Sequence, residues 1–145
     1  MTVIAFDGQS LAGDRLITAG GTPLPRTRKV FWLRAPNGKQ ALVGFSGGSS
    51  YTNAYLNWMN GGPAPVSGPD EKWSILLIEH PRLVWYRSDS ANRWDLFGAT
   101  KWAIGSGADY ALGAMAAGKT AAEAVRIASR LDTACGLGVD VVRFR

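Results

Sequence analysis

The chain has 145 residues, 46% of them apolar, 10% aromatic and 19% charged, with a net charge of +5. That composition excludes a disordered chain, supplies the surface for a core and fits one domain, 1–145. One cysteine, Cys135, and one histidine, His80, exclude a disulfide framework, a thiolate metal cage and a histidine-rich metal site, so neither metal nor cofactor is expected.

Residues 1–60 carry six basic and two acidic side chains, and hence most of the net charge. No nucleic-acid motif accompanies it, which favours a solvated face or a local need for a cation near a site over a nucleic-acid partner. No apolar run reaches the roughly 18 residues of a membrane span. The start, Met1-Thr-Val-Ile-Ala-Phe-Asp7, lacks the pattern of a signal peptide. Cytoplasmic residence is therefore expected.

In chain order, Thr2–Phe6 and Gln9–Gly13 flank Asp7-Gly8, a pair suited to a two-residue hairpin turn. That register sets Thr2 opposite Gly13 and Asp14 beside the start of the chain. Val3-Ile4-Ala5-Phe6 is apolar on both alternating faces, so the strand needs cover on both sides. Arg28–Arg34 and Gln40–Ser46 flank Asn37-Gly38, a second hairpin whose register sets Lys29 opposite Ser46, next to Gly47-Gly48. Ser49 or Ser50 then caps a short helix with Tyr51, Ala54, Tyr55, Trp58 and Met59 on one face, ended by Gly61-Gly62.

A Gly/Pro-rich loop follows over 61–72. Ser74–Glu79 and Arg82–Arg87 read as strands around His80-Pro81, and 93–104 as one or two more. Gly105-Ser106-Gly107 opens a helix that runs through Ala117 and stops at Gly118. Thr120 and Glu123 form a capping box for a further helix to about Ala134, with Ala124, Ile127, Ala128 and Leu131 facing inward. Val139–Phe144 closes as a strand. Tight turns make the strands antiparallel. Two-sided apolar strands place helices outside both sheets, an α+β fold layered αββα.

Four constellations carry chemistry. Gly44-Phe-Ser46-Gly-Gly48 matches G-x-S-x-G, with Asp70 and His80 downstream in triad order; the alternative is a glycine turn between strand and helix. Cys135 falls near a helix C-terminus, where the dipole disfavours a thiolate, and reads as a small buried thiol rather than a nucleophile. Gly105-Ser106-Gly107 either holds an anion on its amides or serves as a tightly packed helix start. Lastly, Thr2 follows Met1. Removal of Met1 leaves a residue carrying its own base, an α-amine of pKa about 7.7–8.0 beside a hydroxyl. A nearby ammonium favours both the neutral amine and the alkoxide. The turns bring Asp14 towards Thr2 and Lys29 towards the glycine turn, and an Asp14–Lys29 pair keeps the lysine charged.

The segments Thr2-Val-Ile-Ala-Phe, Ala12-Gly-Asp14, Thr18-Ala-Gly20, Lys29-Val-Phe, Gly44–Gly48, Ala103–Ala111 and Asp132-Thr-Ala-Cys-Gly136, in that order, resemble the proteasome β-subunit family, including the HslV-type bacterial subunit. The resemblance spans nearly the whole chain and is most specific over 103–136.

It implies a four-layer N-terminal-nucleophile hydrolase that cuts peptide bonds. Thr2 would be the nucleophile and Lys29 its activating cation, oriented by Asp14. The Gly47 amide would stabilise the oxyanion, and Ser106 and Asp132 would support the amine, with Cys135 where the family has serine. Ile17, Thr18, Gly20, Thr27, Phe31, Phe45 and Ser49 would bind substrate.

The family has two helices between the glycine turn and the next strands, whereas one is expected here. Those helices make the contacts between stacked rings in the family, so a single ring, another assembly or a smaller homo-oligomer stands beside the double ring as an expectation, with Trp58 a candidate subunit contact. The start of the chain fits the type in which loss of Met1 suffices for maturation. By analogy with the family, an ATP-dependent unfoldase would be a separate partner. The implied substrate is peptide or unfolded protein. Alternatives are a catalytically silent assembly module, a small-amide hydrolase of the same fold, and a serine hydrolase using Ser46.

Overall fold

A computed structural model of the chain describes residues 2–19, 22–23, 27–34, 38–47, 49–66, 72–79, 83–88, 91–95 and 100–145. Among the described residues, eleven strands and three helices follow in order: β1 (Ile4–Phe6), β2 (Ser10–Asp14), β3 (Thr18–Ala19), β4 (Thr22–Pro23), β5 (Val30–Arg34), β6 (Gln40–Gly47), α1 (Ser49–Met59), β7 (Trp73–Glu79), β8 (Leu83–Ser88), β9 (Ala91–Asp95), β10 (Trp102–Ile104), α2 (Ala108–Ala116), α3 (Ala121–Leu131) and β11 (Val139–Arg143). Two antiparallel sheets, β10-β1-β2-β11 and β5-β6-β7-β8-β9, form the middle layers, and β3 and β4 make a small ribbon.

The apolar pattern of β1 explains the layering. Ile4 and Phe6 point between the sheets with Leu11, Ile104 and Val142, meeting Val30, Leu42, Leu76, Ile78 and Val84 from the other sheet. Val3 and Ala5 point the opposite way, with Ala12 and Ala103, onto Ala111 and Met115 of α2 and Ala121, Ala124, Val125 and Ala128 of α3. On the far side, Val43, Phe45, Trp73 and Ile75 take Tyr51, Tyr55 and Met59 of α1. The order α2/α3, sheet, sheet, α1 is the αββα layering expected from the two-sided strands.

Both hairpin registers differ from the sequence reading. In the first, Ile4 pairs with Gly13 and Phe6 with Leu11. The turn is Gly8-Gln9, one residue later, because Asp7 belongs to the strand side. Its amide donates to the Ser10 carbonyl at 3.2 Å, and its carboxylate accepts from the Gln9 and Ser10 amides and the Ser10 hydroxyl at 2.8–2.9 Å. Asp14 consequently faces Val3, donating its amide to the Val3 carbonyl, while Thr2 does not face Gly13.

In the second hairpin, Val30 pairs with Gly44 and Arg34 with Gln40, so five residues, 35–39, join the strands. Lys29 therefore sits opposite Phe45, whose amide donates to its carbonyl at 2.9 Å, and not opposite Ser46. Asn37 lies outside the described residues.

The capping box of α3 forms as read, Thr120 accepting from the Glu123 amide and Glu123 from the Thr120 amide. The helix ends at Leu131, short of Ala134, because Asp132 turns extended and its carboxylate accepts from the Ala134 amide. Leu131 is 58% exposed, not inward-facing. Among the described residues, α1 is the single helix between β6 and β7, and no helix is long and apolar enough to cross a membrane.

Candidate active site

The site gathers where β1, β2, β5 and β6 meet. Thr2 leads into β1 and is 3% exposed. Lys29 lies just before β5 and sends its side chain across the gap between the sheets. Its Nζ donates to Thr2 Oγ1 at 2.9 Å, to Asp14 Oδ1 at 2.8 Å and to the Leu16 carbonyl at 2.6 Å. Three acceptors around one nitrogen suit an ammonium, which has three hydrogens to give.

Asp14 ends β2 fully buried and accepts four hydrogen bonds: from Lys29, from the Val3 amide at 3.1 Å, from the Leu16 amide at 3.3 Å and from the Gly136 amide at 3.0 Å. A buried carboxylate needs this many partners to offset its lost hydration. The same groups tie β1, β2, the end of the 132–138 segment and the entry to β5 to one point.

The Gly105–Gly107 segment holds Thr2 from behind. The Gly107 amide and the Ser106 hydroxyl both donate to the Thr2 carbonyl, at 3.2 and 3.4 Å. This helix start therefore spends these donors on the chain's own first strand rather than on an external anion. Gly105 has φ +95°, and a Cβ on it would lie 2.1 Å from the Thr2 carbonyl oxygen, so no other residue fits.

Ser106, Asp132 and Cys135 form a cluster beside it. Cys135 Sγ lies 3.4 Å from Asp132 Oδ2 and 3.8 Å from Ser106 Oγ. The Asp132 pKa is lowered, first by the Ser106 hydroxyl, whose one hydrogen is shared between this carboxylate and the Thr2 carbonyl, and then by the Ala134 amide. Burial, followed by the charge of Asp14, pushes the Cys135 thiol up to about 12. At neutral pH it is a thiol, which removes it as a nucleophile.

A cleft of about 380 Å³ opens in front of Thr2, lined by Ile17, Thr27, Lys29, Phe31, Phe45 and Gly47. Arg28, Thr52 and Asn53 also line it and escaped the sequence reading. Phe31 and Phe45 meet edge to face at 6.0 Å and make its apolar wall. Gly47 closes β6 at φ +107°, where a Cβ would lie 2.2 Å from the Lys72 carbonyl oxygen. Thr18 lies in β3 and Ser49 opens α1, but their side chains, like Gly20, lie outside the described residues.

Ser46 sits within β6, paired with Ser74, so it lacks the strand-to-helix elbow a serine nucleophile needs. Asp70 and His80 lie outside the described residues. Among the described residues, no three His, Cys, Asp or Glu side chains converge as a metal site.

No protein-family model and no curated protein matches the sequence. Solved structures do match. Thiobacillus denitrificans BPH superposes with a TM-score of 0.75 at 19% identity, covering 100% of this chain and 98% of its own, and has also been solved in complex with epoxomicin. HslV from Trypanosoma brucei gives 0.68 at 19% identity, covering 97% of both chains. Anbu (ancestral beta-subunit) from Yersinia bercovieri gives 0.75 at 14% identity over 99% of this chain and 81% of its own, and the Anbu complex of Pseudomonas aeruginosa forms a helical assembly. The chain has the proteasome β-subunit, HslV-like fold.

Proposed function

We propose that this chain is a threonine-type peptidase whose nucleophile is Thr2, freed by removal of Met1. The observation that carries the reading is the buried Lys29 ammonium 2.9 Å from Thr2 Oγ1 and 2.8 Å from Asp14. A cation held there stabilises an alkoxide as it forms, and its carboxylate partner keeps it aimed.

In the proposed reaction, Oγ1 attacks the scissile carbonyl carbon and its proton passes to the α-amine of Thr2. The oxyanion is met by the Gly47 amide, a contribution of about 2.7–4 kcal/mol for one such donor. Collapse breaks the C–N bond, and the departing amine takes the proton. Water, deprotonated by the same α-amine, then hydrolyses the ester and restores the hydroxyl. Ser106 and Asp132 steady the amine through the segment that holds the Thr2 carbonyl. Cys135, a thiol beside them, acts as a packing and hydrogen-bonding neighbour.

The cleft takes one side chain against Phe31 and Phe45, and the substrate class is peptide or unfolded protein. The assembly is a homo-oligomer, by analogy with the assembled Anbu neighbour, and an ATP-dependent unfoldase would be a separate chain.

Intact mass and a small peptide reporter test the reading. Folded protein should lack Met1, hydrolyse the reporter, and add one equivalent of epoxomicin at Thr2. Thr2→Ala should lower kcat/KM by about a thousandfold or more and abolish the adduct. Retention of Met1 in the folded assembly would favour a silent assembly module. Equal turnover by wild type and Thr2→Ala would remove Thr2 from the mechanism.

A further inference from the structure

A second hollow, of about 270 Å³, opens at the edge of the sandwich, where β5, the outer strand of one sheet, runs beside β11, the outer strand of the other. Its described lining carries three guanidinium groups, Arg28, Arg143 and Arg145, and no Asp or Glu. Two of them are held in place. Arg145 stacks over Trp32 at 4.3 Å, and Gln40 fixes its main chain, accepting from the Arg145 amide and donating to its carbonyl at 2.8 Å each. The same Gln40 oxygen accepts from the Trp32 indole at 3.0 Å, so the aromatic face is fixed too. Arg28 lies over Phe31 at 5.6 Å and gives its Nε hydrogen to the Val30 carbonyl, a bond that uses one of its five N–H groups.

The three guanidinium groups outnumber the one α-carboxylate, that of Arg145, whose oxygen accepts from the Gln40 side-chain amide, and an added anion between them relieves their mutual repulsion. Guanidinium groups match the two oxygens of a carboxylate better than an ammonium does. The position identifies the source of the anion. Arg28 and Phe31 line both this hollow and the cleft in front of Thr2. A chain lying in the cleft and continuing past Phe31 enters the arginine hollow.

We infer that this hollow is a carboxylate subsite, which selects peptides bearing an Asp or Glu side chain near the residue seated in the cleft. The inference rests on the peptidase reading and deepens it. It assigns Arg143 and Arg145 to substrate selection and leaves the chemistry to Thr2 and Lys29.

The test compares a neutral peptide reporter with matched reporters carrying glutamate at successive positions on either side of the cleaved bond. On wild type, glutamate at the favoured position should lower KM about tenfold, the scale of one charge-assisted contact, with kcat unchanged. The Arg143→Gln/Arg145→Gln variant should lose that gain and cleave the neutral reporter as wild type does. Arg143→Lys/Arg145→Lys, which keeps both charges, should restore part of it; a loss that lysine does not restore argues against charge recognition.

A second arm needs no turnover. The Thr2→Ala protein, titrated with hexaglutamate and with hexaglutamine, should bind the acidic peptide about tenfold more tightly, and the two Gln substitutions should erase the difference. Equal affinity for the two peptides, or a gain that survives both Gln substitutions, overturns the inference even when neutral reporters are cleaved. Glutamate-selective binding without cleavage of any reporter overturns the peptidase reading and leaves the acidic-peptide site standing.

Discussion

The Lys29 ammonium nitrogen lies 2.8 Å from an Asp14 carboxylate oxygen, with the lysine side chain 5% exposed and the aspartate fully buried. Neither group can be removed without leaving the other short of partners, but the two losses are unequal. Lys29→Met keeps most of the stem volume and leaves Asp14 three backbone donors, at Val3, Leu16 and Gly136. Asp14→Ala orphans those three amides, each worth about 1–3 kcal/mol when buried, and strands a cation besides. Denaturant unfolding should rank Asp14→Ala well below Lys29→Met, with Lys29→Met about 3 kcal/mol below wild type. Both variants should lose reporter hydrolysis. A Lys29→Met protein that unfolds like wild type would mean that the pair is not buried as described.

Gly105 gives a sharper separation of fold from chemistry. Alanine there must adopt φ +95° and place its Cβ 2.1 Å from the Thr2 carbonyl oxygen. The strain costs about 1–3 kcal/mol, and relieving the clash shifts Thr2. Because a displacement of about 1 Å can cost a hundredfold in rate, Gly105→Ala should lose activity out of proportion to its loss of stability. Gly113→Ala, in the middle of α2 with nothing within 4 Å of the new Cβ, is the control. It should raise the melting temperature slightly, since alanine is favoured over glycine in a helix by up to about 1 kcal/mol, and leave hydrolysis unchanged. Parallel effects in the two variants would count against the contact with Thr2.

The meeting of Thr2, Asp14 and Lys29 was legible from turn chemistry although both hairpin registers were not. In the first hairpin the pairing differs by an even number of residues, and an even shift leaves every side chain on its face. In the second the shift is odd, exchanging Ser46 for Phe45 opposite Lys29. Lys29 precedes the first residue of β5, so the ladder does not dictate where its side chain goes. Gly105 was legible as part of a tightly packed helix start, but not the group it packs on, because the Thr2 carbonyl lies about a hundred residues away in sequence. Arg28, Thr52 and Asn53 reach the cleft through the way α1 sits over the β5 entry, a tertiary relation that neither period nor motif encodes. Leu131 fitted the helical stripe but falls on the last turn, where the stripe has run past the sheet it covers.

Asp7 ties the first hairpin to α3, its carboxylate accepting from the Ala121 amide at 2.8 Å as well as from its own turn. Burial pushes this carboxyl up, but donors at Ala121, Ser10 and Gln9 outweigh it, and the pKa is lowered below 3.8. A carboxyl lowered on folding adds stability above its unfolded value and loses it as pH falls through the folded one. Asp7→Asn should therefore lower the urea midpoint at about pH 7, with the gap to wild type narrowing as the pH falls below the usual carboxylate range. A gap that stays constant with pH would mean that the donors contribute nothing to the ionised form.

Cys135 supplies a chemical probe of the same neighbourhood. Burial, the Asp14 charge and the Asp132 carboxylate that takes its hydrogen all favour the thiol, and they outweigh the Ser106 hydroxyl, so the pKa stands at about 12. An unperturbed cysteine ionises near 8.5, so at about pH 8 the folded protein holds roughly a thousandfold less thiolate than a free thiol does. Iodoacetamide, which reacts with the thiolate, should alkylate folded protein slower than unfolded protein by at least that factor, as read by intact mass. Rapid alkylation of the folded wild type would require Cys135 to be open to solvent, and with it the wall behind Thr2.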